Sequence, residues 1–448
     1  MIYSRLKLAR TLLQDDGVIF ISLDDGEIAN LSKVCSEIFG EENFIAQIIW
    51  KKRSTPPNDK VIAAQHDYIL VFGKSLKNGL NLRKRTDEQI ARYKNPDNHP
   101  KGPWTAGDLM ANVKGGRYVS SLYFPIVNPR TGQEHYPSSN GNWRFNEEKI
   151  RDLIKNNEIY FGENDDGRPK LKRFLSQVKE GITWTTLWDF APLNTVASGE
   201  MTQIFGNLAT FENPKPVGLI TNILELGAGN ETDIILDFFS GSSTTAHAVM
   251  TLNAEDGGKR KFIMVQLPEQ CGENTEAGKA GFKNIADIGK ERIRRVGQKI
   301  KKENANKEGI ENLDIGFRVL KVDSSNMKDV YYTPDQLKQT HLDQFTDNIK
   351  DDRTAEDLLF QILLDWGVDL SLPITHENIS GKSVFFVDAN ALAACFDTEI
   401  NEGFVKELAS RHPLRAVFRD SGFSNDSLKI NVEQVFKLIS PSTDIKVL

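Results

Sequence analysis

Only three cysteines, Cys35, Cys271 and Cys395, occur in a chain of 448 residues, and they stand far apart. So small and odd a set gives no disulfide framework and fits a reducing cytoplasm. The seven histidines are scattered as well, so no metal site is expected. No run approaches the ~20 apolar residues of a membrane span, and no secretory pattern opens the chain; a cytoplasmic protein is expected. Positive charge is not in excess. The net charge of −6 does not advertise nucleic-acid binding, although a local basic groove can sit on an acidic chain. What is present, 39% hydrophobic and 26% charged residues, is the composition of a globular protein with room for about three domains.

The chain is organised around Ile-Ile-Leu-Asp-Phe-Phe-Ser-Gly-Ser-Ser-Thr-Thr-Ala-His-Ala-Val-Met, residues 234–250. Ile234 to Phe239 is an apolar run of strand length broken only by Asp237. Ser240 to Ser243 is a small-residue turn, and helix formers start at Thr244. Strand, small turn and helix open a nucleotide-cofactor domain. The turn must be small where a cofactor lies against its backbone, and Gly241 can take dihedrals closed to other residues. The helix start then points free N–H groups into the same space. The turn is neither the dinucleotide G-x-G-x-x-G, having one glycine, nor a phosphate loop with Gly-Lys-Ser/Thr. An ordinary buried strand and helix of an α/β core remains the plainer alternative.

Upstream, Leu6, Ala9, Leu12 and Leu13 share one helical face. That helix has no clear cap or lead-in, so the chain is expected to begin inside a domain. Val18 to Leu23 reads as a strand ending in Asp24-Asp25, Glu27 to Ile38 as a helix, and Phe44 to Trp50 and Tyr68 to Gly73 as strands. Open α/β sheets place ligands at the strand end where Asp24 and Asp25 stand. Lys51-Lys52-Arg53 and Thr55-Pro56-Pro57-Asn58 form a polar loop. It could touch phosphates, though such runs are more often solvated. From about Leu82 the chain becomes loop-rich: Tyr93 to Trp104, short β-like pieces at Tyr118 to Val127 and Asn142 to Phe145, and a helix from Glu147. Arg168, Lys170, Lys172, Arg173 and Lys179 then cluster with Leu171 and Phe174. This insert suits substrate reading, or is a plain α+β domain with exposed charge. Thr210 to Pro216 leads into a helix, Val217 to Leu226; Lys259 to Glu269 is the next strand and Ile285 to Lys302 a basic helix. A strand is expected at Phe317 to Val322. The last unit reads as helix (Ala355 to Trp366), strand (Ser383 to Val387), helix (Gly403 to Arg411), strand (Arg415 to Phe418) and helix (Lys429 to Leu438).

Together these pieces resemble the modification subunit of type III restriction-modification systems, a β-class DNA methyltransferase acting on the exocyclic amine of adenine. The resemblance covers essentially the whole chain. It rests on the turn at Asp237 to Thr245, on Leu12 to Asp25, His66 to Phe72, Tyr93 to Trp104, Lys170 to Leu175, Phe211 to Pro216 and Ile288 to Arg294. It continues in Glu356 to Gln361, Phe385 to Asp388 and Lys429 to Gln434. The fold it implies is α/β. A permuted, N-terminally incomplete Rossmann-like methyltransferase domain, dependent on S-adenosylmethionine (AdoMet), would occupy 1–80 and 210–322. A target-recognition domain would be inserted at 81–209, and a C-terminal α+β interaction domain would follow at 323–448.

In such a domain Phe239, Ser240, Gly241, Ser242 and Thr244 would line AdoMet, with Asp237 ending the strand beneath. Phe211 and Pro214 would cover its methionine end, and Gln266 or Glu269 would hold the ribose. Asp24, Asp25 and His66 would flank a flipped adenine. Lys51, Lys52, Arg53, Arg168, Lys170, Lys172 and Arg173 would meet double-stranded DNA, their phosphate contacts positioning it. A homodimer and a helicase-nuclease restriction subunit are the partners implied. The family's catalytic Asp-Pro-Pro-Tyr, placed before the opening helix, occurs nowhere in the 448 residues, and Ser243 stands where a glycine is usual. The sequence is therefore expected to be a subunit truncated before its catalytic motif. The alternative is a module that binds DNA, dimerises and recruits a restriction subunit without methyl transfer. An unrelated α/β oxidoreductase is disfavoured by the missing dinucleotide glycines.

Overall fold

In Val18–Leu23 (β1), β-branched and aromatic residues bounded by Gly17 and Asp24 favour a short strand. Its partner is His66–Gly73 (β3), paired antiparallel from Val18↔Gly73 to Leu23↔Tyr68. The computed structural model describes residues 2–56, 61–111, 119–138, 141–206, 211–328 and 348–448. The expected loop residues Pro57 and Asn58, the β-like start at Tyr118, Thr210 and the middle of the polar stretch after Asp323 lie outside the described residues. The chain divides into two units, Met1–Gly316 and Phe317–Leu448.

In the first unit Phe44–Lys51 (β2) pairs with the far side of β3, and Leu187–Trp188 (β9) adds to β2, in the order β1-β3-β2-β9. Ile2–Leu12 (α1) and Ile28–Phe39 (α2) cover one face, where Leu6, Ala9, Cys35, Ile38 and Phe39 pack on Ile19, Leu70 and Phe72. The opposite face takes Val217–Gly227 (α6), whose Leu219 and Leu226 meet Ile48, Trp50, Ile69 and Val71.

A second, parallel ladder joins Ile234–Asp237 (β10) to Lys261–Met264 (β11). Val217 and Leu224 of α6 pack there with Ala248, Val249 and Leu252 of Thr244–Asp256 (α7) and with Ile235 and Phe262. The helix α6 thus lies across both ladders. A Rossmann-like domain implies one continuous sheet; among the described residues there are two ladders, ending in β1 and β10. Their C-terminal ends still meet, because Phe238, just past β10, packs into the cluster of Ile21 and Leu23 from β1.

The insert carries Asp87–Ile90 (α3), Trp104–Gly107 (β4), Ile126–Val127 (β5), Glu134–His135 (β6), Glu147–Lys155 (α4), Ile159–Tyr160 (β7) and Lys170–Phe174 (β8). Its ladders are β4-β8-β7 and β5-β6, over a core of Leu109, Ile126, Trp143, Ile150 and Phe161. Asn194–Phe205 (α5) packs through Met201 and Phe205 on Ile288 of Ile285–Glu303 (α9) and on Ala277 of Glu276–Lys279 (α8).

The second unit is a five-stranded mixed sheet: Ile374–Ile379 (β12), Lys382–Val387 (β13), Leu392–Cys395 (β14), Arg415–Phe418 (β15) and Asp444–Val447 (β16), in chain order. Ala355–Asp365 (α10) covers one face, and Glu402–Ala409 (α11) with Asp426–Ile439 (α12) the other. The strand expected at Phe317 to Val322 is absent. Those residues join no ladder, and Val319, Leu320 and Val322 are exposed, so alternation alone could not make a strand without a neighbour.

Candidate functional site

The turn after β10 is held by its own side chains. Asp237 accepts a hydrogen bond from the Phe239 N–H at 3.2 Å and from the Thr245 hydroxyl at 2.6 Å. The Ser240 N–H donates to the Val265 carbonyl and the Ser243 N–H to the Ser240 carbonyl. Gly241 (φ +50°) and Ser243 (φ +59°) are both left-handed. At Gly241 a Cβ would lie 3.1 Å from the Phe211 ring, so this position needs glycine for conformation and for space. Phe239 is exposed, whereas Ser240, Ser242, Ser243, Thr244 and Thr245 are buried. No side chain caps the first turn of α7, which leaves that helix end ready for a ligand acceptor.

Beneath the turn lies Arg292, from α9 and wholly buried. Its guanidinium donates to the Ser242 hydroxyl (2.8 Å), the Thr244 hydroxyl (2.7 Å) and the Ser242 carbonyl (3.4 Å), and lies 3.3 Å from His247 Nδ1. Burial pulls its pKa down to about 10, opposed by Glu200, so it stays charged at neutral pH. Burial, with Arg292 and Lys299 adding to it, drives His247 down to about 3. Its imidazole is therefore neutral. The Glu200 carboxylate accepts from the Val217 N–H at 3.0 Å, at the start of α6, and burial pushes its carboxyl upward. The sequence marks Ile285 to Lys302 as a basic helix, and the charges of such helices are usually solvated. That holds for Arg294 and Arg295, which are exposed and pair with Glu291, while Lys290 is half-buried against Asp287. It fails for Arg292. The signal was legible: Ile288, Arg292 and Val296 recur every four residues on the buried stripe.

The remaining cofactor candidates divide. The tip of the Phe211 ring stands against Gly241 of the turn, and Pro214 is buried. The Gln266 carbonyl accepts from the Gly241 N–H at 2.8 Å while its amide donates to the Leu267 carbonyl, so its side chain braces the turn. The exposed carboxylate of Glu269 is the freer candidate for a ribose. The segment from Phe211 to Pro216 is anchored by Lys215, whose ammonium reaches the buried Asp67 carboxylate at 3.1 Å.

At the end of β1, Asp24 accepts from the Gly26 N–H and shapes the turn. Asp25 lies 3.8 Å from His66 Nε2, which is 3.0 Å from the Tyr68 hydroxyl. Burial and then the Asp25 carboxylate push the Tyr68 phenol upward. Sequence reasoning placed Asp25 and His66 together and missed Tyr68, two residues on and so on the same strand face.

Two lysines expected to meet DNA are turned inward. Lys52 pairs with Asp67 at 2.5 Å, and Lys172 pairs with Asp97 at 2.5 Å beneath the Trp104 ring. Burial raises the Asp97 pKa, but hydrogen bonds from Lys172 and Trp104 outweigh it and hold the carboxyl below its ordinary range. Lys51, Arg53, Arg168, Lys170 and Arg173 are exposed. No group of three or more metal-ligating side chains occurs among the described residues, and no helix there is long and apolar enough to cross a membrane.

The DNA methylase family pattern matches residues 1–276. The chain is 36% identical over 348 residues to the Mod subunit of the type III restriction-modification enzyme StyLTI of Salmonella typhimurium, a match covering 77% of this chain and 50% of that one. It is 28% identical over 464 residues to the EcoP15I Mod subunit of Escherichia coli, covering 95% and 68%. It is 33% identical over 305 residues to the type II methyltransferase M.KpnI of Klebsiella pneumoniae, covering 63% and 70%. The match thus spans half the length of the StyLTI subunit. A solved Thermus thermophilus protein, TTHA0409 in complex with S-adenosyl-L-methionine, is 16% identical over 66% of this chain and 76% of that one, with a TM-score of 0.28.

Proposed function

Because the chain belongs to the DNA methylase family, we propose that it is the modification subunit of a type III restriction-modification system. It transfers a methyl group from AdoMet to the exocyclic amine of adenine in duplex DNA. The observation that carries this reading is the turn from Asp237 to Thr245: left-handed at Gly241 and Ser243, uncapped at the start of α7 and roofed by Phe211.

These residues fit AdoMet. Ser240, Gly241 and Ser242 approach it with backbone, Phe239 offers an exposed ring, and Phe211 and Pro214 close over it. Glu269 takes the ribose hydroxyls. AdoMet, when bound, supplies the electrophilic methyl sulfonium. The adenine amine is a poor nucleophile because its lone pair is delocalised into the ring, so orienting it is most of the catalysis. Asp25, His66 and Tyr68, at the C-terminal end of β1 and the start of β3, line the acceptor side, and the base reaches them flipped out of the duplex. Lys51, Arg53, Arg168, Lys170 and Arg173 hold the phosphates. In this reading residues 81–209 recognise the target. Residues 323–448 form an interaction domain, and the partners are a second copy and a helicase-nuclease restriction subunit.

A second reading is a DNA-binding and dimerisation module that recruits a restriction subunit without methylating. Calorimetric titration of AdoMet, with labelled methyl transfer to duplex DNA alongside, separates the two. Saturable binding with transfer supports the first. Binding of DNA with no AdoMet heat removes the cofactor assignment of the turn and leaves the second.

A further inference from the structure

An arginine wholly removed from solvent is a costly way to fill a core position, since a methionine of similar length would fill it without desolvating a charge. Arg292 occupies such a place, and its Nε is buried without a partner among the described residues. Three of its contacts go to one short segment: the Ser242 carbonyl, the Ser242 hydroxyl and the Thr244 hydroxyl. The cap residue of a helix, here Ser243, ordinarily turns its side chain back to accept from the first N–H groups. Here Arg292 holds the residues on both sides of it, Ser243 stays in a left-handed conformation, and its hydroxyl makes no cap to α7.

We infer that Arg292 is a positioning residue of the cofactor site. By engaging Ser242 and Thr244 from below, it holds the cap residue between them, Ser243, in the left-handed conformation that makes no cap, and leaves the first N–H groups of α7 for the carboxylate or hydroxyl oxygens of AdoMet. A second link reaches the roof of the site. Glu200, beside the Arg292 charge, receives the Val217 N–H at the start of α6, directly after the segment that carries Phe211 and Pro214. The inference rests on the AdoMet reading of this turn.

The test compares AdoMet binding by calorimetry in the unaltered chain, R292M, R292K and L252A. Leu252 packs between α7 and α6 away from the turn, so L252A controls for loss of stability alone. R292M is expected to weaken AdoMet about tenfold, the scale of one lost charge-assisted contact set. R292K keeps the charge without the planar fork and should recover part of that loss. L252A should bind within about twofold despite a lower Tm. Should R292M fail to fold, R292K against L252A carries the same comparison. AdoMet binding in the arginine variants equal to the unaltered chain, or weakened no more than in L252A at matched Tm loss, overturns the inference alone. No binding by the unaltered chain overturns the AdoMet reading and the inference with it.

Discussion

The Ser243 hydroxyl oxygen lies 2.5 Å from where a Cβ on Gly289 would stand, so the turn and α9 interlock through one hydroxyl and one missing side chain. Ser243 is left-handed at φ +59°, a conformation that costs a non-glycine residue about 1 kcal/mol. G289A should therefore destabilise the first unit by about 1–3 kcal/mol through overpacking. S243G removes both the hydroxyl and the strain, so the double variant should recover most of that loss. Urea unfolding of the four proteins reads the coupling directly, and additive effects would show that the two positions do not touch.

The roof over the turn is the next test. A Cβ at Gly241 would meet the Phe211 ring at 3.1 Å, and φ there is +50°. G241V should abolish measurable AdoMet binding. F211A, which removes the ring and spares the backbone, should weaken binding about tenfold, the scale of about 1–2 kcal/mol for a partly exposed aromatic contact. Equal AdoMet affinity in F211A and the unaltered chain would take Phe211 out of the site.

Much of this geometry was legible in the residues and some was not, for physical reasons. Val18–Leu23 and Arg415–Phe418 were expected with their observed limits, because apolar β-formers bounded by polar or turn residues leave few alternatives. Leu392–Cys395 escaped, since Leu-Ala-Ala-Cys has no strand signature and forms β14 only because β13 and β15 bond to both its sides. Phe317 to Val322 had the pattern and lacked the neighbour. Lys172 and Lys52 read as surface charge because their acidic partners, Asp97 and Asp67, are 75 and 15 residues away in sequence. Local patterning cannot pair them.

Histidine chemistry gives a pH test. His247 is held down to about 3 in the folded protein, first by burial and then by Arg292 and Lys299, against an ordinary 6.5. The unfolded chain therefore takes up this proton first. The stability contributed by the neutral ring is present above about pH 6.5 and is lost as pH falls toward 3. At pH 5 the loss should be about 1–2 kcal/mol, allowing for a ring partly open to water. H247Q keeps an acceptor for Arg292 and cannot take up the proton, so its Tm should fall less than that of the unaltered chain between pH 7 and pH 5. Parallel Tm curves would place the acid sensitivity elsewhere.

Strand β8 makes the sharpest distinction between charge that faces DNA and charge that holds the fold, because it carries both within four residues. Lys170 and Arg173 are exposed, while Lys172 is buried against Asp97, which also receives the Trp104 indole at 2.7 Å and the Asn157 amide at 3.0 Å. If the exposed pair meets phosphates, the variant carrying both K170A and R173A releases fewer counterions on binding. The slope of log affinity against log salt should then shallow by about 2, about one unit per lost contact. K172M should act on a different axis. It strands a carboxylate that still has two neutral donors, costing about 2–4 kcal/mol of stability, and at temperatures where it stays folded the salt slope should be unchanged. Filter binding to duplex DNA from low to high salt, beside thermal unfolding, reads both axes. A shallower slope in K172M would mean that this lysine leaves Asp97 to meet the duplex, and the insert would then have to open on binding.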